Sequence, residues 1–323
     1  LNNYPKVSLG FFPTPVENFI NLSHYLGGPP ISIKRDDQTG LALGGNKTRK
    51  LEYILGDAIA QGADTVITAG ASQSNHCRQT AAAAAKCQLE CHLVLGGEQP
   101  RHNNGNLLLD KLFGSHIHWA GEYRKGEDIT ALIEQLKAAG KKPYVIPYGG
   151  SNELGVIAFF EAMKELKAQG AEYSHIVFAS SSGGTQAGLM LGNKVTAMNS
   201  HILGICIDKD EINQQNLDEQ ILMLANNTAD MLAIETNFNE KDVYLNTDYM
   251  GGGYGVVGEL ENEAISIMAK QEGILLDPVY TGRAMGGLID MIRQNKITSG
   301  DNVLFWHTGG TPALFAYSDD MKA

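Results

Sequence analysis

Lys47 stands behind the turn Gly44-Gly45-Asn46 and opens a helix-like run, with Arg49 and Lys50 close behind it. A charged lysine at a helix start opposes the macrodipole, and three cations among four residues compound the penalty unless one is neutralised or meets an anion. A lysine converted to an imine loses its ammonium, so imine chemistry is one reading; a solvent-exposed basic turn is the other. Ser180-Ser181-Ser182-Gly183-Gly184-Thr185 follows a strand-like run and precedes a helix. Backbone N–H groups and hydroxyls gathered at a helix N-terminus form a phosphate cradle that needs no Lys or Arg. The same string also reads as an ordinary capped loop. Tyr254 lies in Gly251-Gly252-Gly253-Tyr254-Gly255 and Tyr280 in Asp277-Pro278-Val279-Tyr280-Thr281-Gly282. A phenol among glycines can approach a ligand closely and donate, accept or shuttle a proton.

Other chemistries fit poorly. Gly40 to Gly45 has the spacing of a P-loop, but Asn46 intervenes before Lys47, no apolar strand leads in and no acidic magnesium strand is visible. A dinucleotide G-x-G-x-x-G is absent, as is H-E-x-x-H, and no His pairs with a Ser or Cys at nucleophile spacing. Cys87 and Cys91 lie four apart near His92, with His76 and Cys77 upstream. That spacing matches no usual zinc pair, and Cys91 falls in a strand-like run. The four cysteines, Cys206 included, therefore read as small reduced hydrophobes, and no metal site is expected.

The elements that position these residues alternate. Strand-like runs occupy 31–34, 65–68, 91–95, 117–119, 144–146, 175–179, 202–207 and 303–306. Helix-like segments occupy 50–61, 79–86, 129–139, 155–169, 185–191 and 259–271. Several strand runs are apolar on both faces, as strands covered by helices on each side are. The pattern predicts an α/β fold with mostly parallel sheets. Such sheets bind ligands beyond the carboxyl ends of their strands. Four loops rich in Gly, Ser and Asn stand there: those after Thr68, Ile146, Ala179 and Trp306.

The 323 residues correspond to two domains or one large α/β unit, with 43% apolar and 19% charged residues. A net charge of −11 disfavours a general nucleic-acid binder and docking on anionic lipid. No apolar run approaches the ~20 residues of a membrane span. The first nine residues lack a signal-peptide pattern, and the chain opens on Leu1 rather than Met, which fits a few residues missing ahead of it. Cytoplasm is the expected location.

Taken together, Gly44-Gly45-Asn46-Lys47-Thr48-Arg49-Lys50-Leu51-Glu52, Gln73-Ser74-Asn75-His76, Ser182-Gly183-Gly184-Thr185-Gln186-Ala187-Gly188 and the Asp277–Gly282 segment resemble the marks of pyridoxal-phosphate enzymes of the tryptophan synthase β-like fold (fold type II). More narrowly they resemble the D-cysteine desulfhydrase and 1-aminocyclopropane-1-carboxylate deaminase group, from Pro13-Thr14-Pro15 to Phe315-Ala316-Tyr317. The resemblance implies two open, twisted, mostly parallel sheets flanked by helices. It divides the chain into a large cofactor-binding domain (1–49 and 153–323) and a small one (50–152). It implies that Lys47 carries pyridoxal 5'-phosphate as an imine and serves as catalytic base. Asn46 and Asn75 would lie near the cofactor ring, Thr308 near its pyridine nitrogen, and Ser182, Gly183, Gly184 and Thr185 around its phosphate. Ser74 and Asn75, supported by Gln73, would meet the substrate carboxylate, with Tyr254 and Tyr280 flanking the substrate. A homodimer acting on a small amino acid follows from the same likeness.

Two positions depart from the deaminase pattern: Thr281 stands where that subgroup has Glu, and Thr308 where it has Leu. Both fall on the desulfhydrase side. A threonine beside the pyridine nitrogen holds it protonated less strongly than a carboxylate would. The leading expectation is therefore β-elimination of D-cysteine to pyruvate, sulfide and ammonia. The alternatives are a cyclopropane amino acid deaminase, an L-cysteate sulfo-lyase and a non-catalytic cofactor-binding protein.

Overall fold

A computed structural model describes residues 4–127, 129–170, 172–208 and 216–322. The chain first lays down β1 (Val16–Asn18), α1 (Ile20–Leu26) and β2 (Ile31–Arg35). It then builds α2 (Lys47–Ala60), β3 (Thr65–Ala71), α3 (Asn75–Cys87), β4 (Glu90–Gly96), α4 (Gly105–Leu112), β5 (His116–Trp119), α5 (Ile129–Ala138) and β6 (Pro143–Val145). It continues with α6 (Glu153–Ala168), β7 (His175–Ser180), α7 (Gly184–Thr196), β8 (His201–Cys206), α8 (Leu217–Met231) and β9 (Tyr244–Asn246). Last come α9 (Glu259–Glu272), α10 (Thr281–Arg293), β10 (Val303–His307) and α11 (Pro312–Ala316).

Two sheets result. One runs β1-β2-β10-β7-β8-β9, parallel except for the β1–β2 pair; the other runs β5-β4-β3-β6, parallel throughout. Strict alternation sorts the large sheet's side chains. Ile33, Val177, Leu203, Val303 and Phe305 pack under α1, α9 and α10, while Ile176, Phe178, Ile202, Leu304 and Trp306 pack under α6, α7 and α8. The smaller sheet buries Val66, Cys91, Leu93 and Leu95 against α2, α3 and α4, and Ile67, Ala69 and Val94 against α5. Helix α2 packs on both α3 and α6, joining the two layers.

Every strand and helix read from the sequence forms. Two further strands, β1 and β9, span three residues each at sheet edges, too short to leave a period. Helix α10 also escapes the pattern, because Gly282, Gly286 and Gly287 lower its helix propensity. Those glycines serve packing: a Cβ at Gly286 would meet Leu260 at 2.4 Å and one at Gly287 would meet Tyr249 at 2.9 Å. All four cysteines are free; Cys77, Cys91 and Cys206 are buried and Cys87 half-buried.

Candidate active site

All four glycine-rich loops converge on one cleft. Ser74, Asn75 and His76 come from the loop after β3, Tyr148 and Gly149 from the one after β6, Ala179 to Gly183 and Thr185 from the β7–α7 turn, and Thr308 from the loop after β10. Asn46 and Lys47, at the start of α2, and Tyr280, just before α10, complete the wall.

Lys47 points its Nζ at the Gly149 carbonyl, 3.1 Å away. Burial lowers its pKa to about 8, so a substantial fraction is neutral near physiological pH. Among the described residues no carboxylate pairs with it. Lys50, one helical turn on and fully buried, donates to Ser151 Oγ (3.2 Å) and to the same Gly149 carbonyl (3.3 Å). Burial, and then the neighbouring Lys47, push its pKa well down. Arg49 accounts for the third cation of the cluster: it turns away to bind Asp36 and Glu165.

The β7–α7 turn sits beside Lys50. Gly183 takes φ +81° at the N-cap of α7, a conformation that favours glycine. Gly184 lies just behind the cleft wall, where a Cβ would meet Ser151 Oγ at 2.7 Å and Lys50 Nζ at 3.1 Å. Ser151 Oγ also meets Ser182 Oγ at 2.8 Å. The helix start, two serines and a buried ammonium without a carboxylate partner fit a phosphate group. Lys50, fully buried, stands behind this turn one helical step from Lys47 and is not itself among the residues that line the cleft.

Ser74 is the N-cap of α3: its Oγ accepts from the Cys77 N–H at 3.2 Å and keeps its own proton to donate. Asn106 Nδ2 holds Asn75 Oδ1 at 2.8 Å, so the Asn75 amide presents its NH2 end. Asn46 Nδ2 reaches Thr185 Oγ1 at 3.3 Å, and its backbone N–H donates to the Thr308 carbonyl at 3.0 Å, drawing three loops together. His76, which sequence reasoning left unused, lines the cleft with Nε2 2.8 Å from Thr68 Oγ1 and Nδ1 without a protein partner. Burial and the two lysines push its pKa well down, so the ring is neutral. Tyr148, Gly149 and Ala179 also line the wall, and sequence reasoning assigned none of them a role.

Three expected residues lie elsewhere. Gln73 does not line the cleft; its amide accepts from the Asn106 N–H (2.9 Å) and donates to the Asn104 carbonyl (3.0 Å), bracing the start of α4. Tyr254 stands one shell back, its hydroxyl 2.7 Å from that of Tyr280, with the Arg124 guanidinium stacked 4.2 Å from its ring. Burial, and after it Tyr148 at Tyr254 and Tyr254 at Tyr280, push both pKa values well up and keep both phenols protonated. Thr281 is fully buried, and its hydroxyl donates to Asp277 Oδ1 and accepts from the Asp277 N–H, both at 2.8 Å. Of the two threonines, Thr308 lines the cleft and Thr281 does not.

Comparison with known proteins agrees with this geometry. Residues 7–309 match the profile described as pyridoxal-phosphate dependent enzyme. A D-cysteine desulfhydrase of Klebsiella pneumoniae (strain 342) is 42% identical over 326 residues, 98% of this chain and 97% of that protein. One of Salmonella choleraesuis (strain SC-B67) is 43% identical over 328 residues, with the same coverage. Among solved structures, an ACC deaminase homologue superposes with a TM-score of 0.91 at 38% identity, covering 99% of this chain and 96% of that one. A tomato threonine deaminase isoform, at 19% identity and a TM-score of 0.65, shares the fold.

Proposed function

Because this chain belongs to the pyridoxal-phosphate dependent enzyme family, we propose that it eliminates the β-substituent of a D-amino acid, D-cysteine foremost. The reaction consumes D-cysteine and water and yields pyruvate, hydrogen sulfide and ammonia. The observation that carries the reading is the Lys47 amine, held with a lowered pKa in a cleft whose neighbouring buried ammonium, Lys50, lacks a carboxylate partner.

Bound in this cleft, pyridoxal phosphate supplies an electron sink for negative charge at the substrate Cα. Lys47 would anchor the cofactor's carbonyl carbon. Ser182, Gly183, Gly184 and Thr185, with Lys50 and Ser151, would hold its phosphate. Asn46, Asn75 and Thr308 would border its ring. Ser74 Oγ–H, the Asn75 amide and the positive end of α3 would take the substrate carboxylate. Lys47 Nζ would take the Cα proton. The Cβ–S bond would break with its electron pair leaving on sulfur as hydrosulfide, and Tyr280 Oη–H, backed by Tyr254 Oη, would donate a hydrogen bond to that leaving group. The small domain would span 50–152 and the large one the remainder, in a cytoplasmic homodimer.

Two experiments test this. Borohydride reduction of the purified protein followed by peptide mapping should place the cofactor on Lys47; a different lysine ends the mechanism. Keto-acid release should then be compared for D-cysteine, L-cysteine, cysteate, β-chloro-D-alanine, D-serine and the cyclopropane amino acid. D-cysteine or β-chloro-D-alanine should lead by a wide margin, and a lead for the cyclopropane substrate would reassign the chain to the deaminases.

A further inference from the structure

At the opposite end of the smaller sheet from the cleft, strand alternation gathers a second group of side chains. Glu90 and His92 project from one face of β4, and His116 and His118 from the same face of its parallel neighbour β5, with His92 registered against His116. His92 Nε2 lies 2.9 Å and His116 Nε2 3.6 Å from the same carboxylate oxygen, Glu90 Oε1. One ligand atom from each of the three residues falls within 4.8 Å of the others. A tetrahedral zinc ion with bonds near 2.0–2.1 Å separates its ligands by roughly 3.3 Å, so the distances here straddle that value. The other nitrogen of His92 is also occupied: Nδ1 lies 2.9 Å from His118 Nε2. The two rings, 5.2 Å apart and tilted by only 17°, are nearly coplanar.

We propose that Glu90, His92 and His116 bind a divalent transition-metal ion of zinc type, with His118 as the positioning residue. His92 gives Nε2 to the ion and keeps its proton on Nδ1, where His118 Nε2 accepts it. This arrangement fixes the tautomer as an outer partner of a metal-bound histidine does. Lys141 binds the remaining oxygen, Glu90 Oε2, so the carboxylate offers the ion one oxygen and water completes the shell. The His116 side chain is 58% exposed and that of His92 only 7%, giving the ion a path in and a shielded seat. The cysteine–histidine string between 87 and 92 thus splits by strand parity. Cys91 faces the core packed on α3, while His92 faces the opposite side. An ion here would tie β5, the edge strand, to its neighbour.

Isothermal titration of zinc chloride into the holoenzyme, in a buffer free of thiols and phosphate, tests the assignment. One ion per chain should bind at micromolar concentration or below. His92→Gln and His116→Gln should each weaken binding at least a hundredfold, and His118→Gln about 10–100-fold. Lys141→Gln, which removes the competing ammonium, should tighten it several-fold. No stoichiometric binding, or binding that survives the His92→Gln/His116→Gln double substitution, overturns the site. Wild-type affinity in His118→Gln overturns the positioning role. Anomalous diffraction at the zinc edge decides independently of any variant: a peak between His92 and His116 supports the site, and a peak elsewhere alone refutes it.

Discussion

Helix α2 carries cations to two different destinations. Arg49 meets Asp36 at 2.8–2.9 Å and Glu165 at 2.9 Å, while Lys34 from β2 reaches the same Glu165 at 2.5 Å. Burial opposes ionisation of Glu165, but Arg49 and Lys34 hold its pKa down to about 2. Lys47 and Lys50 are buried with carbonyls and hydroxyls alone. The first group is electrostatically complete within the chain, whereas burial pushes the second towards neutral amines that an anion from outside would recharge. The difference separates a structural ion network from a binding site, although both use the same residue types on one helix.

The largest way to break the contrast is at Glu165. Glu165→Ala strands two buried cations, and removing one partner of such a network typically costs about 3–5 kcal/mol. Urea unfolding should show that loss equally with and without cofactor, because the network does not touch the cleft. Lys50→Met should behave in the opposite manner. Cofactor-free protein should keep or raise its urea midpoint, since a poorly solvated charge disappears. Cofactor affinity should fall about 10–100-fold, the equivalent of one charged hydrogen bond. A loss of stability without a loss of affinity would place Lys50 in the structural class.

The third and smallest effect concerns Lys47 in cofactor-free Lys50→Met protein. Its pKa is depressed to about 8 in the folded state against an ordinary value of 10.5. Between those values the unfolded chain holds a proton that the folded amine has released, so stability rises with pH across that window. The slope is at most about 1.4 kcal/mol per pH unit. Adding Lys47→Met should flatten it, as should loading with cofactor. A slope unchanged by Lys47→Met would assign the titration to another group.

Much of this was legible beforehand for identifiable reasons. Parallel strands buried on both faces announce themselves as short apolar runs, and the loops that follow them carry the glycines that line the cleft. Lys47, Ser74, Asn75 and the Ser182–Thr185 turn therefore stood out by position and type. What stayed hidden depends on side chains meeting across distance in sequence. His76 looked like part of a loop motif, yet it joins the wall through Thr68. Lys50 looked like excess basic charge until Ser151, a hundred residues later, packed beside it. Thr281 sat in a motif, but helix capping by Asp277 claims its hydroxyl. Neither spacing nor composition encodes those pairings.

The place of β10 in the large sheet has a consequence for how the polypeptide is made. This strand lies between β2 and β7, pairing Val303 with both Ile31 and His175. Ribosomes add roughly 5–20 residues per second, so β2 emerges about 15–50 s before the strand that covers its inner edge. The strands of the four-stranded sheet, by contrast, are contiguous in the chain and can pair while translation continues. During that interval the nascent chain displays an unpaired, apolar strand border of the kind that recruits other strands. A chain interrupted between β6 and β10 would hold all the strands of one sheet and an open gap in the other. Chaperone demand should therefore persist until β10 has left the exit tunnel and fall once it inserts between β2 and β7.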